Sequence, residues 1–494
     1  MTVHPLPAAE SIARYELRFQ SLVHAGRGLT FPCDPQGQVQ WDAMTEDARA
    51  SVLRAQGRVG REYASPAVRR AGFHRTFGPG ARRRATIAAS SLPGHPVPTF
   101  GRSFLAHWWL DPAITYLNHG TVGATPRVVL EAQQAWQRRI EAQPAAFLLR
   151  ELISLAPGAS GAPRPLLRRV ADTVGDFLGA RGDDMVLVDN ASTGINAVLR
   201  SLALRPGDEI VVLDQAYGAV VKAAEFVARA AGARVVVAAT PFPAEGDIAG
   251  ACADAVERVL TPRTRLAVID HVSSETALIL PVAAMAERCR ARGVPVLVDG
   301  AHAPGALDLD IPPLGADWYV GNLHKWAFAP RACGFLWVAP PRRAGLHPPV
   351  ISWGLDVGLA QEFDWTGTRD PSAMLCAPDG IAFMRDVLGL AAMRAWNHDL
   401  VWRMAHALAA RWGQPFATPE PLVGCMASVA LPARIQALGA DASPALKDWL
   451  LAERRIEAQV LTIRGLAHVR LAAQVYNDEA DYERLADAVD AWPA

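Results

Sequence analysis

From Val186 onward, short apolar runs alternate with stretches of helical pattern, and this rhythm constrains the fold more than any other feature. The runs are MVLVDN (185–190), EIVVLD (209–214), ARVVVAAT (233–240), RLAVIDHVSS (265–274), PVLVDGAHAPG (295–305), DWYVGN (317–322) and GFLWVAP (334–340). Continuous apolar strands separated by helices indicate a mostly parallel sheet that is covered on both faces. The sequence therefore predicts an α/β fold with such a sheet at its centre.

Polar residues follow these strands, at the point where each strand ends. They are Asp189, Asn190, Asp214, His271, Asp299, His302, Asn322 and His324. In open α/β sheets, ligands bind beyond the carboxyl ends of the strands. We therefore expect the functional site at this edge of the sheet.

The lysine in YVGNLHKWAFAP (319–330) stands out because lysine is rare in this chain. Among 49 Lys and Arg residues, only Lys222, Lys325 and Lys447 are lysines. A guanidinium stays protonated, whereas an amine whose pKa is lowered by its surroundings can attack a carbonyl and form a Schiff base. Lys325 is therefore a candidate for covalent catalysis, and the alternative is a surface lysine at the end of a strand.

A Schiff-base cofactor also needs a carboxylate, a phosphate site and a flat group against its ring. Asp299, at a strand end three residues before His302, can supply the carboxylate. Ser192 and Thr193 open a predicted helix whose amide groups can receive a phosphate. Tyr217 follows the next strand, where its ring can stack on a cofactor. Each has a structural alternative: a cap or turn for Asp299 and Ser192, and packing for Tyr217.

Composition and charge limit the partners and the compartment expected for this protein. The formal net charge is +0 and the pI is about 7.2, so nothing points to nucleic acid or an acidic membrane surface. Six scattered cysteines without CxxC spacing argue against a zinc site or a disulfide framework and fit a reducing cytoplasm. No run approaches the ~18 apolar residues of a membrane span. We expect a cytoplasmic protein with no metal, nucleic acid or membrane partner.

Four regions differ in pattern. Residues 1–68 combine strand periodicity in RYELRFQSL with a helical pattern over residues 45–63, and they predict a small appendage of unknown role. Residues 69–103, rich in Arg, Pro and Gly, predict a linker. Residues 104–374 would hold an N-terminal arm and the large domain. Residues 375–494, with long helices and few strands, predict a smaller α+β domain.

Several motifs in order resemble the class V aminotransferase group of pyridoxal 5'-phosphate (PLP) enzymes, in its isopenicillin N epimerase-like branch. They are YLNHGTVGATP (116–126), NASTGINAV (190–198), VLDQAYGAVV (212–221), VDGAHAPG (298–305), YVGNLHKW (319–326), FDWTGTRDPSA (363–373) and VRLAAQVYN (469–477). That branch also includes hercynylcysteine sulfoxide lyase relatives. The resemblance covers about residues 104–490 and implies a homodimeric fold-type-I enzyme with a large domain and a smaller α+β domain.

The resemblance implies how these residues hold PLP. Lys325 would form the internal aldimine, Asp299 would pair with the pyridine nitrogen, and His302 would lie near the ring hydroxyl. The other cofactor-binding residues that it implies are Ser192, Thr193, Asn322 and His324 at the phosphate, Tyr217 in the stacking position, and Thr366 and Thr368 reaching into the partner subunit.

The resemblance also implies a substrate side of the site. Arg470, in a late R-x-x-x-Q-x-Y-N pattern, would hold a substrate α-carboxylate, for which a planar fork is suited. Its alternative is an ordinary strand arginine paired on the surface. Asn118 and His119 would line the entrance, and Arg369 would lie nearby. The chain departs from the family pattern at Ala472, where a serine is usual, and over residues 152–167, which are longer and richer in Gly and Pro.

The reaction type is decided once Lys325, the expected general base, has removed the α-proton of an amino-acid substrate. Reprotonation on the opposite face gives epimerisation, loss of a β-substituent gives a C–S lyase, and protonation on the cofactor gives transamination. The resemblance favours an epimerase or lyase over a class V aminotransferase. Epimerisation needs a second acid or base, for which Tyr217, His119 and His271 are candidates.

Desulfuration and a non-catalytic regulatory role are two other functions for a chain of this kind, and the sequence disfavours both. Desulfuration needs a nucleophilic cysteine on a mobile loop, and Cys376 and Cys425 are expected to be packing residues instead. A non-catalytic regulatory protein of the same fold could touch nucleic acid through the basic residues 1–100. It is disfavoured because Lys325 and Asp299 are both present and no helix-turn-helix pattern is evident there.

Overall fold

The protein is described here by a computed structural model. It describes residues 15–20, 28–33, 67–70, 100–153, 164–439 and 441–493. The chain divides into two compact units, Met1–Pro93 and Gly94–Ala494. The four-region division expected from the sequence stays a prediction.

The first unit contains a three-stranded antiparallel sheet. Its strands are β1 (Tyr15–Gln20), β2 (Gly28–Cys33) and β3 (Ala67–Arg70), in the order β2-β1-β3. The strand predicted in RYELRFQSL is thereby confirmed. The helix predicted over residues 45–63 lies outside the described residues, as does most of the Gly- and Pro-rich stretch within 152–167.

A seven-stranded sheet forms the centre of the second unit, and the short strand β4 (Thr115–Tyr116) precedes it in the chain. Its strands are β5 (Met185–Val188), β6 (Glu209–Leu213), β7 (Arg234–Ala238), β8 (Thr264–Asp270), β9 (Val296–Asp299), β10 (Trp318–Asn322) and β11 (Gly334–Val338). Their order is β5-β11-β10-β9-β8-β6-β7, and β11 runs antiparallel to both of its neighbours. The other pairs are parallel, which confirms the predicted fold class.

Both faces of this sheet are covered. In β5, Val186 and Val188 enter one apolar core while Met185 and Leu187 enter the other. Because alternate side chains point to opposite faces, a strand buried on both faces must be apolar throughout. The longer helices of this part are α1 (Arg127–Ala142), α2 (Leu166–Phe177), α3 (Ala191–Arg200), α4 (Gly218–Ala231), α5 (Ile248–Val259) and α6 (Val282–Ala291).

The C-terminal part has its own apolar core. Its elements are α7 (Leu390–Trp412), β12 (Met426–Ala430), α8 (Ala442–Arg454), β13 (Ile456–Glu457), β14 (Gln459–Ile463), β15 (Leu466–Ala472) and α9 (Glu479–Asp490). Strands β12, β15 and β14 form an antiparallel sheet in that order, and β13 pairs in parallel with β4. The arm at the start of the second unit is therefore tied to the C-terminal part.

Short helical segments connect these elements. They are Arg102–His107, Pro144–Ala146, Phe147–Leu152, Gly182–Asp184, Pro312–Leu314, Pro340–Arg342, Leu359–Asp364, Ser372–Leu375, Ala377–Ala382, Phe383–Leu388, Glu420–Leu422 and Ala433–Gln436. Within the described part of the chain, no helix combines the length and apolar character that a bilayer crossing requires.

Candidate active site

A cavity of about 470 Å³ opens at the carboxyl ends of the central strands. The last residues of β8, β9 and β10 and the first turn of α3 form its base, while α8, β14 and β15 of the C-terminal part contribute to its wall. Asp299, His302, Lys325 and Arg470 all line it. The sheet edge expected to bind a ligand therefore carries a cavity.

Lys325 lies in the connection between β10 and β11. The loop is closed by a hydrogen bond from the Leu323 amide to the Cys333 carbonyl oxygen (3.0 Å). Gly123 packs directly on this backbone, since a Cβ there would lie 2.5 Å from the His324 carbonyl oxygen and 2.7 Å from the Lys325 Cα. Glycine at this position therefore allows the two segments to touch.

The Lys325 amine has a distinctive electrostatic environment. Its Nζ lies 3.1 Å from the His302 Nε2. Burial, aided by the positive charge of Arg470, lowers the pKa of Lys325 to about 7, against the opposing effect of Asp299. Burial also lowers the pKa of His302 well below its usual range, so this imidazole is neutral. An amine with such a pKa is substantially unprotonated near pH 7, the form that acts as nucleophile and base.

Two carboxyl groups, Asp270 and Asp299, end adjacent parallel strands at paired positions. Both are buried and both line the cavity. Asp299 Oδ1 accepts a hydrogen bond from the Ala301 amide (3.0 Å), whereas Asp270 Oδ2 has no partner among the described residues. Burial raises the pKa of both groups, and the nearby Asp299 charge raises that of Asp270 further. The pair therefore favours one negative charge over two.

The amino end of α3 forms one side of the cavity. Asn190 Oδ1 accepts from the Thr193 amide (2.9 Å), and Asn322 Oδ1 accepts from the Ala191 amide (2.8 Å). Ser192, Asn322 and His324 line the cavity, whereas the Thr193 hydroxyl turns back to donate to Asn190 (3.2 Å). The arrangement leaves Ser192 and the helix end facing the cavity, as an anion site requires.

Tyr217 lies at the rim. It directly precedes α4, lines the cavity and is 49% exposed. The ring is therefore available to a ligand in the cavity.

Arg470 projects from β15 and is 3% exposed. Its guanidinium donates to the Ser274 carbonyl oxygen and to the Thr121 hydroxyl, and its Nε has no partner among the described residues. Burial lowers the pKa of Arg470 to about 10, with an opposing effect from Glu275. A buried guanidinium with an unused donor, facing a cavity, is suited to bind an anionic ligand.

Asn118 and His119 lie inside the protein rather than at the entrance of the cavity. His119 is fully buried, with its Nε2 3.1 Å from the Lys325 carbonyl oxygen, and Asn118 Nδ2 donates to Glu457 (2.8 Å). Thr121 lines the cavity in their place. The side chains of Asn118 and His119 therefore point into the interior of the protein.

The two histidines considered as second bases are both held away from the cavity. His271 Nδ1 lies 2.8 Å from the Tyr319 hydroxyl, and His119 Nδ1 lies 2.8 Å from the Tyr476 hydroxyl. Burial lowers the pKa of each histidine to about 4. Both are therefore neutral structural groups rather than proton donors to a bound ligand.

Thr366, Thr368 and Arg369 do not line the cavity of their own chain. Arg369 donates to Asp189 (3.0 Å), Thr366 is half-buried and Thr368 is exposed. The role of the two threonines in a partner subunit stays a prediction.

The cysteines with described side chains are Cys252, Cys289, Cys333, Cys376 and Cys425, and all are buried. Burial raises the pKa of Cys425 to about 12 and that of Cys376 above its usual range. None of the five lines the cavity. They behave as packing residues.

The cavity residues that were not candidates from the sequence include Thr121, Asp270, Lys447 and Gln459. Asp270 ends the run RLAVID just as Asp299 ends VLVD, and this was a usable signal. The rarity of lysine could have marked Lys447. Thr121 lies within the motif YLNHGTVGATP, whereas no local pattern marks Gln459, which only folding brings to the cavity.

The PLP expected from the resemblance fits these residues. Asp299 places a buried carboxyl in the same cavity as the reactive amine, and the α3 end with Ser192 offers an anion site. His302 Nδ1 and Asp270 Oδ2 are buried polar atoms without partners in the described part of the protein. Because buried polar atoms are normally hydrogen-bonded, their presence beside this cavity favours a polar ligand.

The chain also resembles known proteins. Residues 125–423 match the sequence model of the family described as aminotransferase class-V. The chain is 35% identical over 405 residues to isopenicillin N epimerase of Streptomyces clavuligerus, which covers 77% of this chain and 96% of the relative. It is 32% identical over 407 residues to an L-cysteine desulfhydrase of Arabidopsis thaliana, which covers 76% of this chain and 87% of the relative.

Among solved structures, a cystine C–S lyase in complex with its reaction product cysteine persulfide resembles the chain with a TM-score of 0.64. The two are 22% identical, and the match covers 80% of this chain and 100% of the other. At this identity, the likeness shows a common fold.

Proposed function

The chain belongs to the class V aminotransferase family of PLP-dependent enzymes, and on that premise we propose that it is a lyase that eliminates the β-sulfur group of an L-cysteine-type amino acid. The observation that carries the proposal is the Lys325 amine, with a pKa of about 7, in one cavity with Asp299 and Arg470. The relatives that are L-cysteine desulfhydrases support this substrate class.

PLP, when bound, supplies an electron sink that stabilises negative charge at the substrate α-carbon. Lys325 would attach it, Asp299 would pair with its ring nitrogen and His302 would lie beside the ring. The remaining residues proposed to hold it are Ser192, Thr193, Tyr217, Asn322 and His324. Of these, Thr193 would act through its hydrogen bonds to Asn190, which shape the first turn of α3.

Arg470 orients the substrate. Its buried guanidinium binds the α-carboxylate, while its bonds to Ser274 and Thr121 keep it in place. An ion pair shielded from water is stronger than one on the surface, provided that its hydrogen bonds are satisfied. This contact presents the α-carbon to Lys325.

Lys325 then removes the α-proton, since its amine is substantially neutral at physiological pH. The Cβ–S bond breaks, and the sulfur leaves with the bonding electron pair and takes up a proton. Hydrolysis of the remaining three-carbon fragment by water yields pyruvate and ammonium. The reaction needs no oxidant or reductant.

Elimination is favoured over desulfuration by the positions of the cysteines. Transfer of sulfur to the enzyme needs a reactive thiolate near the substrate. The five cysteines with described side chains are buried outside the cavity, with Cys425 held at a pKa of about 12. An elimination in which sulfur departs as a free thiol needs no such residue.

The test is product analysis with the PLP-loaded protein. L-Cysteine should yield equal amounts of pyruvate and hydrogen sulfide, and S-substituted L-cysteines should yield equal amounts of pyruvate and the corresponding thiol. Lys325→Ala should reduce the rate by a factor of at least about 10³, the scale of a lost general base and attachment point. Absence of pyruvate from every cysteine derivative would refute the lyase.

Epimerisation is the second candidate because Tyr217 lies at the rim of the cavity, where a phenol can exchange a proton with a bound substrate. It would convert an L-amino acid to its D form with no pyruvate. In D₂O, the product would carry deuterium at the α-carbon. Tyr217→Phe should then remove inversion but leave exchange of the α-proton.

We also propose that the enzyme is a cytoplasmic homodimer. The segment of residues 350–357 exposes five large apolar side chains: Val350, Ile351, Trp353, Leu355 and Val357. Contiguous exposed apolar surface of this kind usually marks an interface. The segment lies shortly before Thr366 and Thr368, so its burial against a second copy would carry these threonines towards the partner's cavity. Free buried thiols agree with a reducing compartment.

A further inference from the structure

Lys447 is a cation in the cavity wall that the proposed reaction does not use. It lies on α8, lines the same cavity as Lys325 and is half-buried. No ion pair or hydrogen bond joins its amine to another described residue, whereas Lys222, elsewhere in the chain, pairs with Glu225 at 2.9 Å. A partly desolvated amine without a counter-charge is suited to an anionic ligand.

Gln459 is paired with the substrate-binding arginine in the C-terminal sheet. It lies directly opposite Arg470 across the β14–β15 ladder, so the two side chains share one face, and both line the cavity. A hydrogen bond between the Ser443 and Thr462 hydroxyls (3.0 Å) ties α8 to β14. The C-terminal part therefore presents Arg470, Gln459 and Lys447 on one wall of the cavity.

Carboxyl groups and cations of the cavity come from different elements. Its described carboxyl groups end the sheet strands β8 and β9, in the same cavity as the Lys325 amine. The C-terminal elements contribute two further cations, Arg470 and Lys447, of which an α-carboxylate needs only one. Glu275 already opposes part of the charge of Arg470, whereas no carboxyl group of the described residues pairs with Lys447. Lys447 therefore leaves a positive charge for a second negative group.

We propose that Lys447 and Gln459 form a subsite for a second anionic group, so that the preferred substrate is a cysteine S-conjugate with a carboxylate beyond the sulfur. The proposal rests on the lyase function above and deepens it. A flexible ammonium can follow a carboxylate on a side chain, and the amide of Gln459 adds donors beside it. L-Cysteine itself has no group that would reach this subsite.

The kinetic test compares two substrates of nearly the same shape, S-carboxymethyl-L-cysteine and S-carbamoylmethyl-L-cysteine, with the PLP-loaded enzyme. The charged substrate should have a kcat/KM about tenfold higher, the scale of one charge-assisted hydrogen bond. Lys447→Met should remove most of this preference, mainly through KM, while Lys447→Arg should keep it. Lys222→Met is the matched control and should leave the preference unchanged. Equal kcat/KM values in the wild-type enzyme overturn the proposal.

A binding test separates this proposal from the lyase function. 3-(Carboxymethylthio)propanoate carries two carboxylates, and its monoamide, 3-(carbamoylmethylthio)propanoate, keeps only the propanoate carboxylate. Both lack the amino group and cannot react. Calorimetry should show about tenfold tighter binding of the dicarboxylate, lost in Lys447→Met. If this difference holds while no cysteine derivative is cleaved, the subsite stands and the lyase function fails. If pyruvate forms but charge makes no difference to binding or to kcat/KM, the lyase stands and the subsite fails.

Discussion

At the scale of single residues, the most consequential property of the site is that burial changes the protonation of a few side chains. The pKa of Lys325 is lowered and that of Asp299 is raised, because burial disfavours the charged form of each side chain. The amine is thereby partly neutral near pH 7. The same surroundings leave His119 and His302 uncharged.

The lowered pKa of Lys325 predicts unusual reactivity in the cofactor-free protein. Only a neutral amine is acylated, so labelling of Lys325 by a small acylating reagent should rise with pH to half its maximum at about pH 7. Lys222, which is exposed and lies outside the cavity, serves as an internal control and should not share this profile. Peptide mass spectrometry follows both sites in one sample, and coincident profiles would contradict the assigned environment.

The positive charge of Arg470 contributes to the lowered pKa of Lys325, and a substitution of Arg470 tests this cause. Arg470→Met should move the labelling midpoint of Lys325 to higher pH, because a nearby positive charge that disfavours the protonated amine is gone. The labelling profile of Lys222 should not move. An unchanged midpoint at Lys325 would leave burial as the only cause.

Asp270 predicts a pH dependence of stability. Because its pKa is raised in the folded protein, the folded chain keeps a proton that the unfolded chain loses above about pH 4. Stability from this group is therefore present at low pH and is lost as pH rises towards the folded-state pKa, at about 1.4 kcal/mol per pH unit. Asp270→Asn should raise the melting temperature of the cofactor-free protein more at pH 8 than at pH 5. A pH-independent difference would contradict the argument.

At the scale of elements, the site depends on loops that hold one another rather than on any single strand. The β10–β11 connection carries Lys325, and the segment around Gly123 packs on its backbone. β4, just before that segment, pairs with β13 of the C-terminal part. The arm, the sheet edge and the C-terminal part are thereby locked together around the lysine.

Gly123→Ala tests this arrangement. A methyl group would sit 2.5 Å from the His324 carbonyl oxygen, so one backbone must shift, at a cost of about 1–3 kcal/mol. We expect the variant to unfold at a lower urea concentration. The pH at which labelling of Lys325 is half-maximal should also rise from about 7. Gly424→Ala is the control, since its Cβ would be 3.6 Å from Ile279, an ordinary contact. Equal effects of the two substitutions would show that the close packing at Gly123 is not special.

At the scale of the whole molecule, the exposed apolar segment of residues 350–357 is the main feature that the single chain does not explain. Trp353 is 88% exposed. We expect Trp353→Glu to weaken dimerisation by a factor of about 30 or more, the scale of a central interface residue. Sedimentation velocity over a range of concentrations measures this. Phe226→Glu, at another exposed apolar residue, should leave the assembly unchanged.

Much of the architecture was determined by local sequence pattern. Uninterrupted apolar runs can be strands only where both faces are covered, which is why the central sheet and its ligand-binding edge could be predicted. Asp299 and Lys325 were placed on that edge by the same argument, because Asp299 is the last residue of β9 and Lys325 lies in the loop just after β10. The rarity of lysine in the sequence was enough to mark Lys325 as a candidate for Schiff-base chemistry.

Tertiary structure alone decided which distant residues meet and which are shielded from water. Lys447 and Gln459 belong to elements with no strand-end signal, yet packing brings them to the cavity of Lys325. His119, which the family motif implied would line the entrance of the cavity, is buried inside the protein. Local pattern reflects the preferences of a segment and its neighbours, whereas burial, charge separation and pKa depend on contacts between segments far apart in the chain.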